Sequence, residues 1–96
     1  MNESQIAIAA VCDEIKQMLL EKNMKYGDAA LNPLQIFSTA SPEERLKARM
    51  DEKLSRIRNQ NQNPNGPQDD EDARKDLVGC LILDLAREKL EANGNG

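Results

Sequence analysis

The segment from Leu77 to Ala86 most constrains the fold, because it is apolar on nearly every side of the helix that it predicts. A helix advances about 100° per residue, so the apolar side chains of this segment cover almost its whole circumference. Such a helix must be surrounded by other elements. Two further helices in a chain of 96 residues are too few to surround it. We therefore expect this last helix, from about residue 70 to 92, to pack against copies of itself in a homo-oligomer.

The scarcity of aromatic residues indicates the fold class. The chain has one Tyr, one Phe and no Trp, so its core must be built from Leu, Ile, Val, Met and Ala. β-Branched residues never form the alternating runs that are typical of strands. The sequence therefore predicts one all-α domain over residues 1–96, a small three- to four-helix bundle with a thin core.

Two more helices are predicted upstream. Residues 3–24 carry apolar side chains at helical spacing, and Gly27 supplies the left-handed conformation that closes a helix. The second helix is expected to span 42 to about 59. Its start is marked by Ser41 and Glu44, which can form a reciprocal capping box, and by Pro42 at the first helical position.

The segments between and after these helices have different compositions. Residues 59–69 are polar and rich in Asn, Gln, Pro and Gly, which predicts a mobile surface loop. Residues 93–96 are expected to form a frayed tail. Residues 28–40, in contrast, carry apolar side chains, so we expect them to pack over the bundle as a lid or as one wall of a pocket. These side chains are Leu31, Leu34, Ile36 and Phe37.

A basic stripe on the second helix is the first candidate functional feature. Arg45, Arg49, Lys53 and Arg56 fall within an arc of about 80°, beside an apolar stripe of similar width. Cations at the edge of an apolar seam favour a small anion, and arginine holds phosphate with two parallel hydrogen bonds. The alternative is a solvated helix face whose cations pair with neighbouring acids.

Two further features extend this candidate site. Tyr26 and Lys25 end the first helix, so they either stack on a base and contact a phosphate or form an ordinary helix end with a snorkelling tyrosine. On the last helix, Asp76 precedes Gly79 by one turn. Gly79 is explained either by close packing or by space for a ligand, with Asp76 then paired to a cation of the basic stripe.

The composition narrows the possible chemistry. Without histidine, the chain lacks the commonest general base and the commonest transition-metal ligand. Its carboxylates provide no convincing pairs on facing helices, so we predict no catalytic residue and no metal site. A net charge of −4 argues against binding duplex nucleic acid.

Cys12 and Cys80 are expected to be reduced. The sequence shows no signal peptide and no apolar run long enough to span a membrane, so we expect a cytoplasmic protein.

Four stretches resemble a family of small phage and prophage proteins, the nucleotide modification associated domain 1 family, and more distantly the MazG-like all-α nucleotide pyrophosphohydrolases. The stretches are Lys22-Asn23-x-Lys25-Tyr26-Gly27-Asp28-x-Ala30-Leu31-x-Pro33, Ile36-Phe37-Ser38, Arg49-x-Asp51-Glu52-Lys53-Leu54-Ser55-Arg56 and Asp76-Leu77-x-Gly79-x-Leu81. The MazG-like enzymes bind Mg²⁺ through two pairs of acids on separate helices. Here Asp76 stands for the first acid of one pair, whereas Gly79 takes the place of the second.

The resemblance implies a nucleotide-binding protein of phage origin, acting in the host cytoplasm. Because the paired acids are incomplete, we expect it to sequester a nucleotide immune signal without cleaving it, as an anti-defence sponge with no cofactor. One alternative is a Mg²⁺-dependent nucleoside triphosphate pyrophosphohydrolase or a nucleotide-modification accessory protein. Another is a module that binds a host protein. The predicted ligand-binding residues are Lys25, Tyr26, Phe37, Arg45, Arg49, Lys53, Arg56 and Asp76.

Overall fold

The structure, a computed structural model, describes residues 1–67 and 72–94. Within these residues the chain forms three helices and no strand. The helices are α1 (Glu3–Lys25), α2 (Pro42–Gln62) and α3 (Ala73–Ala92). The predicted all-α class is therefore confirmed, with three helices in the described part of the chain.

Helix α1 ends one residue beyond its predicted limit, and local side chains explain both of its ends. Asn2 and Gln5 form a capping box, in which each side chain accepts a hydrogen bond from the other residue's backbone N–H. After the helix, Gly27 has a φ of 62° and Asp28 a φ of 63°. The amide groups of Asn23 and Asn32 both donate hydrogen bonds to the Asp28 carboxylate, which holds this non-glycine residue in the left-handed region.

Helix α2 begins where the sequence predicts and ends three residues later. The Ser41 hydroxyl accepts a hydrogen bond from the backbone N–H of Glu44, as expected of an N-cap. Residues 59 to 62, predicted to belong to the mobile loop, are helical instead. Asn63 explains this extension, because its backbone N–H and its side-chain amide both donate to the carbonyl of Asn59.

Helix α3 begins at Ala73, and its predicted start near residue 70 lies outside the described residues. The Asp72 carboxylate accepts hydrogen bonds from the backbone N–H groups of Arg74 and Lys75. Of the predicted loop, residues 68–69 also lie outside the described ranges. Of the predicted tail, residues 93 and 94 form a turn, and residues 95–96 are not described.

Packing of the helices is uneven. Helix α2 runs along α3, whereas α1 meets α3 over a much shorter stretch. Two side chains of α1 that lie eight residues apart reach neighbouring positions of α3. The Lys75 Nζ lies 3.0 Å from the Glu14 carboxylate, and the Lys22 Nζ lies 3.8 Å from that of Asp76. Because eight residues span about 12 Å of helix, α1 crosses α3 instead of following it.

The core is thin, as the composition predicts. In the described part of the chain, the buried apolar side chains are Ile15, Leu46, Ala73 and Cys80. Leu46 is the most enclosed, with 1% of its surface exposed. One side of α3 remains uncovered by α1 and α2, since Val78, Leu81, Ile82 and Leu85 are each more than 40% exposed. None of the described helices is both long and apolar enough to cross a lipid bilayer.

The connection between α1 and α2 does not pack as predicted. Leu31 is half-buried, but the side chains of Leu34, Ile36 and Phe37 point into solvent, and Phe37 is fully exposed. The prediction of an apolar lid is wrong for these three residues. The connection is instead held through its backbone, since the Arg45 guanidinium donates hydrogen bonds to the carbonyls of Leu34, Ser38 and Ala40.

Candidate anion-binding cleft

A cavity of about 270 Å³ opens where α1, α2 and α3 meet; we call it the Asp76 cavity. Helices α1 and α3 contribute both polar and apolar residues to its wall, whereas α2 contributes only charged side chains. The wall residues are Met18, Leu19, Lys22, Arg49, Glu52, Lys53, Asp76, Gly79, Cys80 and Leu83.

Helical periodicity explains why these residues converge. On α3, Asp76 is followed by Gly79, Cys80 and Leu83 at spacings of three, four and seven residues, which places all four on one face. On α1, the same spacing from the buried Ile15 leads to Met18, Leu19 and Lys22. Each polar group therefore lies on a face that apolar neighbours hold against the other helices.

Gly79 permits the close approach of α1 to α3. A Cβ atom at Gly79 would lie 3.1 Å from the Leu19 Cδ2 and 3.5 Å from the Met18 Cε. The packing explanation for this glycine is therefore supported by direct contacts. The explanation as space for a ligand also stays open, since Gly79 lines the cavity as well.

Asp76 is the polar centre of this cavity. Its carboxylate is 11% exposed and lies between two lysines, with the Lys53 Nζ at 3.5 Å from Oδ2 and the Lys22 Nζ at 3.8 Å from Oδ1. Oδ2 is buried and accepts no hydrogen bond from the residues that the structure describes. The two lysines thus balance its charge, while one oxygen retains an unused acceptor position.

A second and larger cavity, about 470 Å³, adjoins the first; we call it the Tyr26 cavity. The two cavities share Leu19, Lys22, Arg49 and Leu83 as wall residues. Asn23, Tyr26, Ala29 and Ala30 complete the second wall. Its volume falls within the range of roughly 300–1,000 Å³ that is usual for small-molecule sites. Together the two cavities form one cleft with a charged end and a more apolar end.

The charges in the cleft are mixed, with an excess of cations. Lys22, Arg49 and Lys53 face two carboxylates, those of Glu52 and Asp76. Cys80 lies in the same wall, where burial raises the pKa of its thiol above the ordinary value, although Arg49 and Lys53 oppose this effect. The Cys80 thiol is therefore uncharged at neutral pH, and it contributes apolar surface to the site.

The structure brings four of the predicted ligand-binding residues into the cleft. Arg49, Lys53 and Asp76 line the Asp76 cavity, and Tyr26 lines the Tyr26 cavity with 60% of its surface exposed. Lys25 lies outside both walls, with its Nζ 5.5 Å above the centre of the Tyr26 ring. It can therefore assist only from the rim.

The other three predicted residues lie elsewhere. Phe37 is fully exposed on the connection, and Arg56 is an exposed residue of α2 beyond both cavity walls. Arg45 faces the connection: its Nε donates to the Ala40 carbonyl, and its Nη2 donates to the carbonyls of Leu34 and Ser38, all at 3.2 Å. The basic stripe is continuous on the helix, but its two ends point away from the cleft.

Three polar wall residues, Lys22, Asn23 and Glu52, were absent from the predicted set. Lys22 lies seven residues after the buried Ile15, a spacing that places it on the same face of α1. That spacing was a usable signal. Glu52 reaches the wall from the flank of α2. Its position in the helical pattern of α2 does not distinguish it from an acidic residue on a solvent-exposed face.

The polar side chains of the cleft suit an anion better than they suit a bare cation, since three cations face two carboxylates. Within residues 1–67 and 72–94, no group of three or more acidic, cysteine or histidine side chains is placed to hold a metal ion.

Comparisons with protein-family models, with curated proteins and with solved structures give no match to this chain.

Proposed function

We propose that this protein binds a phosphorylated nucleotide in the cleft. One observation carries the proposal: Lys22 from α1, together with Arg49 and Lys53 from α2, lines a cavity that adjoins the more apolar cavity beside Tyr26. The phosphate lies among the three cations, and the base lies in the Tyr26 cavity.

Each part of the cleft matches one part of such a ligand. The planar guanidinium of Arg49 donates two parallel hydrogen bonds to phosphate oxygens, and the two lysines add point charges. The side chains of Leu19 and Leu83 exclude part of the water, which strengthens these interactions. The Tyr26 ring is exposed enough to stack on a base, an interaction that every base can make.

Asp76 has two roles in this proposal. Without ligand, its carboxylate balances the charges of Lys22 and Lys53 and keeps both ammonium groups in the cavity. With ligand bound, its carboxylate accepts a hydrogen bond from a ribose hydroxyl or from an amino group of the base, because Asp76 lines the cavity.

The biological role follows from the resemblance to small phage proteins. We propose that the protein sequesters a nucleotide signal of host immunity in the cytoplasm of the infected cell and releases it unchanged. Self-association through α3 raises the number of sites per particle. Neither a cofactor nor duplex nucleic acid is part of this function.

A Mg²⁺-dependent pyrophosphohydrolase is the second candidate, and one observation favours it. Glu52 of α2 and Asp76 of α3 line the same cavity, so two carboxylates from facing helices flank the position of the phosphate. A magnesium ion that keeps several waters binds through one or two carboxylates together with substrate phosphates.

Calorimetric titration with nucleotides tests the proposal. The probes are ATP, ADP-ribose and a cyclic dinucleotide, with adenosine as the phosphate-free control. Replacing Arg49 removes charge-assisted hydrogen bonds to phosphate, so Arg49→Ala is expected to weaken binding by about tenfold or more. Arg58 lies on the same helix, is exposed and is outside both walls, so Arg58→Ala is the matched control.

Two outcomes of this titration contradict the proposal. Equal weakening by both variants would mean that only the total charge matters. Binding of adenosine as tight as that of ATP would show that the phosphate contributes nothing to the affinity. Incubation of bound nucleotide with Mg²⁺ then separates the two candidate functions, because sequestration returns the nucleotide intact, whereas the enzyme releases pyrophosphate.

A further inference from the structure

The side chains that line the Tyr26 cavity differ in the hydrogen bonds that they offer a ligand. Four of the wall residues are apolar, and the side chains of Lys22 and Arg49 donate hydrogen bonds without accepting any. The Tyr26 hydroxyl both donates and accepts, so it does not distinguish a donor from an acceptor on the ligand. Asn23 is the remaining polar residue of the described wall, and its amide has separate donor and acceptor ends.

Asp28 fixes the orientation of the Asn23 amide. The Asn23 Nδ2 donates a hydrogen bond to the Asp28 Oδ1 at 2.7 Å. A carboxylate accepts hydrogen bonds and donates none, so the reverse orientation would set the Asn23 Oδ1 against the oxygens of Asp28. Asp28 is itself held in place, because its other oxygen accepts from the Asn32 amide and its backbone N–H donates to the Asn23 carbonyl. The amino end of the Asn23 side chain therefore faces Asp28, and its Oδ1 is left on the other side.

The Asn23 Oδ1 is available to a ligand beside the Tyr26 ring. Asn23 is exposed, and this oxygen accepts no hydrogen bond from residues 1–67 or 72–94. Tyr26 follows Asn23 by three residues and keeps the helical hydrogen bond from its backbone N–H to the Lys22 carbonyl. This spacing places both side chains on the same side of the end of α1. A base that stacks on the Tyr26 ring thus brings one of its edges to the Asn23 amide.

We propose that Asn23 makes the Tyr26 cavity selective for adenine over guanine and hypoxanthine. The inference rests on the proposed function, since it assigns a base to the cleft that holds the phosphate. Asparagine pairs with adenine by accepting from the amino group at position 6 and donating to N7. The Asn23 Nδ2 keeps one hydrogen for this second contact, because the bond to Asp28 uses only one. Guanine and hypoxanthine carry a carbonyl oxygen at position 6, which would meet the Asn23 Oδ1 as a second acceptor.

Calorimetric titration with ATP and with inosine triphosphate tests this selectivity. The two probes carry the same phosphates and the same ribose, and they differ in the group at position 6 and in the hydrogen on N1 that accompanies the carbonyl. The wild-type protein should bind ATP about tenfold or more tightly than inosine triphosphate. ATP with two methyl groups on its amino nitrogen has no hydrogen to donate there, so it should bind about as weakly as inosine triphosphate.

Two variants separate contact with the base from support of the turn after α1. Asn23→Ala removes the acceptor and should bring the ratio of the two affinities close to one. Because it also removes a hydrogen bond to Asp28, Asn32→Ala is the matched control. The Asn32 amide donates to the same carboxylate, but Asn32 lies outside both cavity walls, so Asn32→Ala should keep the wild-type ratio. Circular dichroism should give the same helix content for both variants.

The outcomes distinguish this inference from the proposed function. Equal, phosphate-dependent binding of ATP and inosine triphosphate by the wild type would overturn the selection of adenine and leave the nucleotide site intact. A preference for ATP that Asn23→Ala leaves unchanged, or that Asn32→Ala lowers as much, would overturn the role of Asn23. Tight binding of the dimethylated ATP would show that the amino group donates no hydrogen bond and would also overturn it. Failure of both ATP and inosine triphosphate to bind would contradict the proposed function, and this inference with it.

Discussion

Lys53 of α2 and Asp76 of α3 meet at the floor of the cleft, where the Lys53 Nζ lies 3.5 Å from the Asp76 Oδ2. Both side chains are largely enclosed, with 15% and 11% of their surfaces exposed. The contact joins the two helices that form the main packed pair of the molecule. It therefore links the stability of the fold to the charge of the candidate site.

Asp76→Ala should destabilise the fold by about 2 kcal/mol, because it leaves the enclosed ammonium of Lys53 without this counter-charge. Chemical denaturation with urea measures the change. Lys53→Met combined with Asp76→Leu removes both charges and should recover most of the loss. A double variant no more stable than Asp76→Ala would show that the loss of stability does not come from an unpaired Lys53 charge.

Tyr26 provides an optical test of base stacking, since it is the only tyrosine in a chain without tryptophan. Binding of ATP should quench its fluorescence. Tyr26→Ala should weaken binding about tenfold or more, in line with the 1–3 kcal/mol of base–aromatic stacking, whereas Tyr26→Phe should retain most of the affinity. Unchanged affinity of Tyr26→Ala would remove the ring from the site, and the location of the phosphate would be unaffected.

The start of α3 should be sensitive to acid. Hydrogen bonds from the backbone N–H groups of Lys75 and Arg74 hold the pKa of the Asp72 carboxyl below its ordinary value of 3.8. A lowered pKa in the folded state means that the contribution to stability is complete above pH 3.8 and is lost as the pH falls through the lowered value. Melting temperatures measured across this range should show the loss.

Asp72→Asn separates the charge from the cap. Asparagine caps a helix about as well as aspartate, but it does not titrate, so this variant should lack the acid-dependent part of the change. Asp72→Ala should lower the melting temperature at neutral pH as well. If Asp72→Asn kept the full acid dependence, the titrating group would be another carboxylate.

Arg45 should matter for the connection and not for the ligand. Its guanidinium donates to three carbonyls of residues 34–40, so Arg45→Ala should expose this segment to proteases and leave the affinity for ATP within about twofold. Limited proteolysis and calorimetry on the same sample measure both effects. A tenfold loss of ATP affinity without faster cleavage would show that Arg45 contributes to ligand binding and would contradict this prediction.

The sequence predicts the helices well because their ends depend on local groups. The cap at Ser41 and the left-handed Gly27 are read from a few neighbouring residues, and they define the C-terminal end of α1 and the start of α2. The extension of α2 to Gln62 was missed because Asn63 supports it through the Asn59 carbonyl. Propensity alone gives no warning of such a cap.

The site was predicted in part, for a physical reason. Periodicity places Arg49 and Lys53 beside the apolar stripe of α2, but it does not say how far along the helix α1 will cross. Because α1 crosses at the level of Asp76, the cleft includes Lys22 and excludes Arg56. Phe37 was misjudged since an apolar residue on a connection packs only when the backbone turns it inward.

Nuclear magnetic resonance of the backbone amides during titration with ATP tests the central claim most directly. Binding in the cleft predicts saturable shifts that cluster around Lys22, Arg49, Lys53 and Gly79, extend to Tyr26, and are much weaker with adenosine at the same concentration, because adenosine lacks the phosphate. Shifts that cluster around Arg56 and Arg58, or the same small shifts with ATP and with inorganic phosphate across all exposed cations, would contradict it.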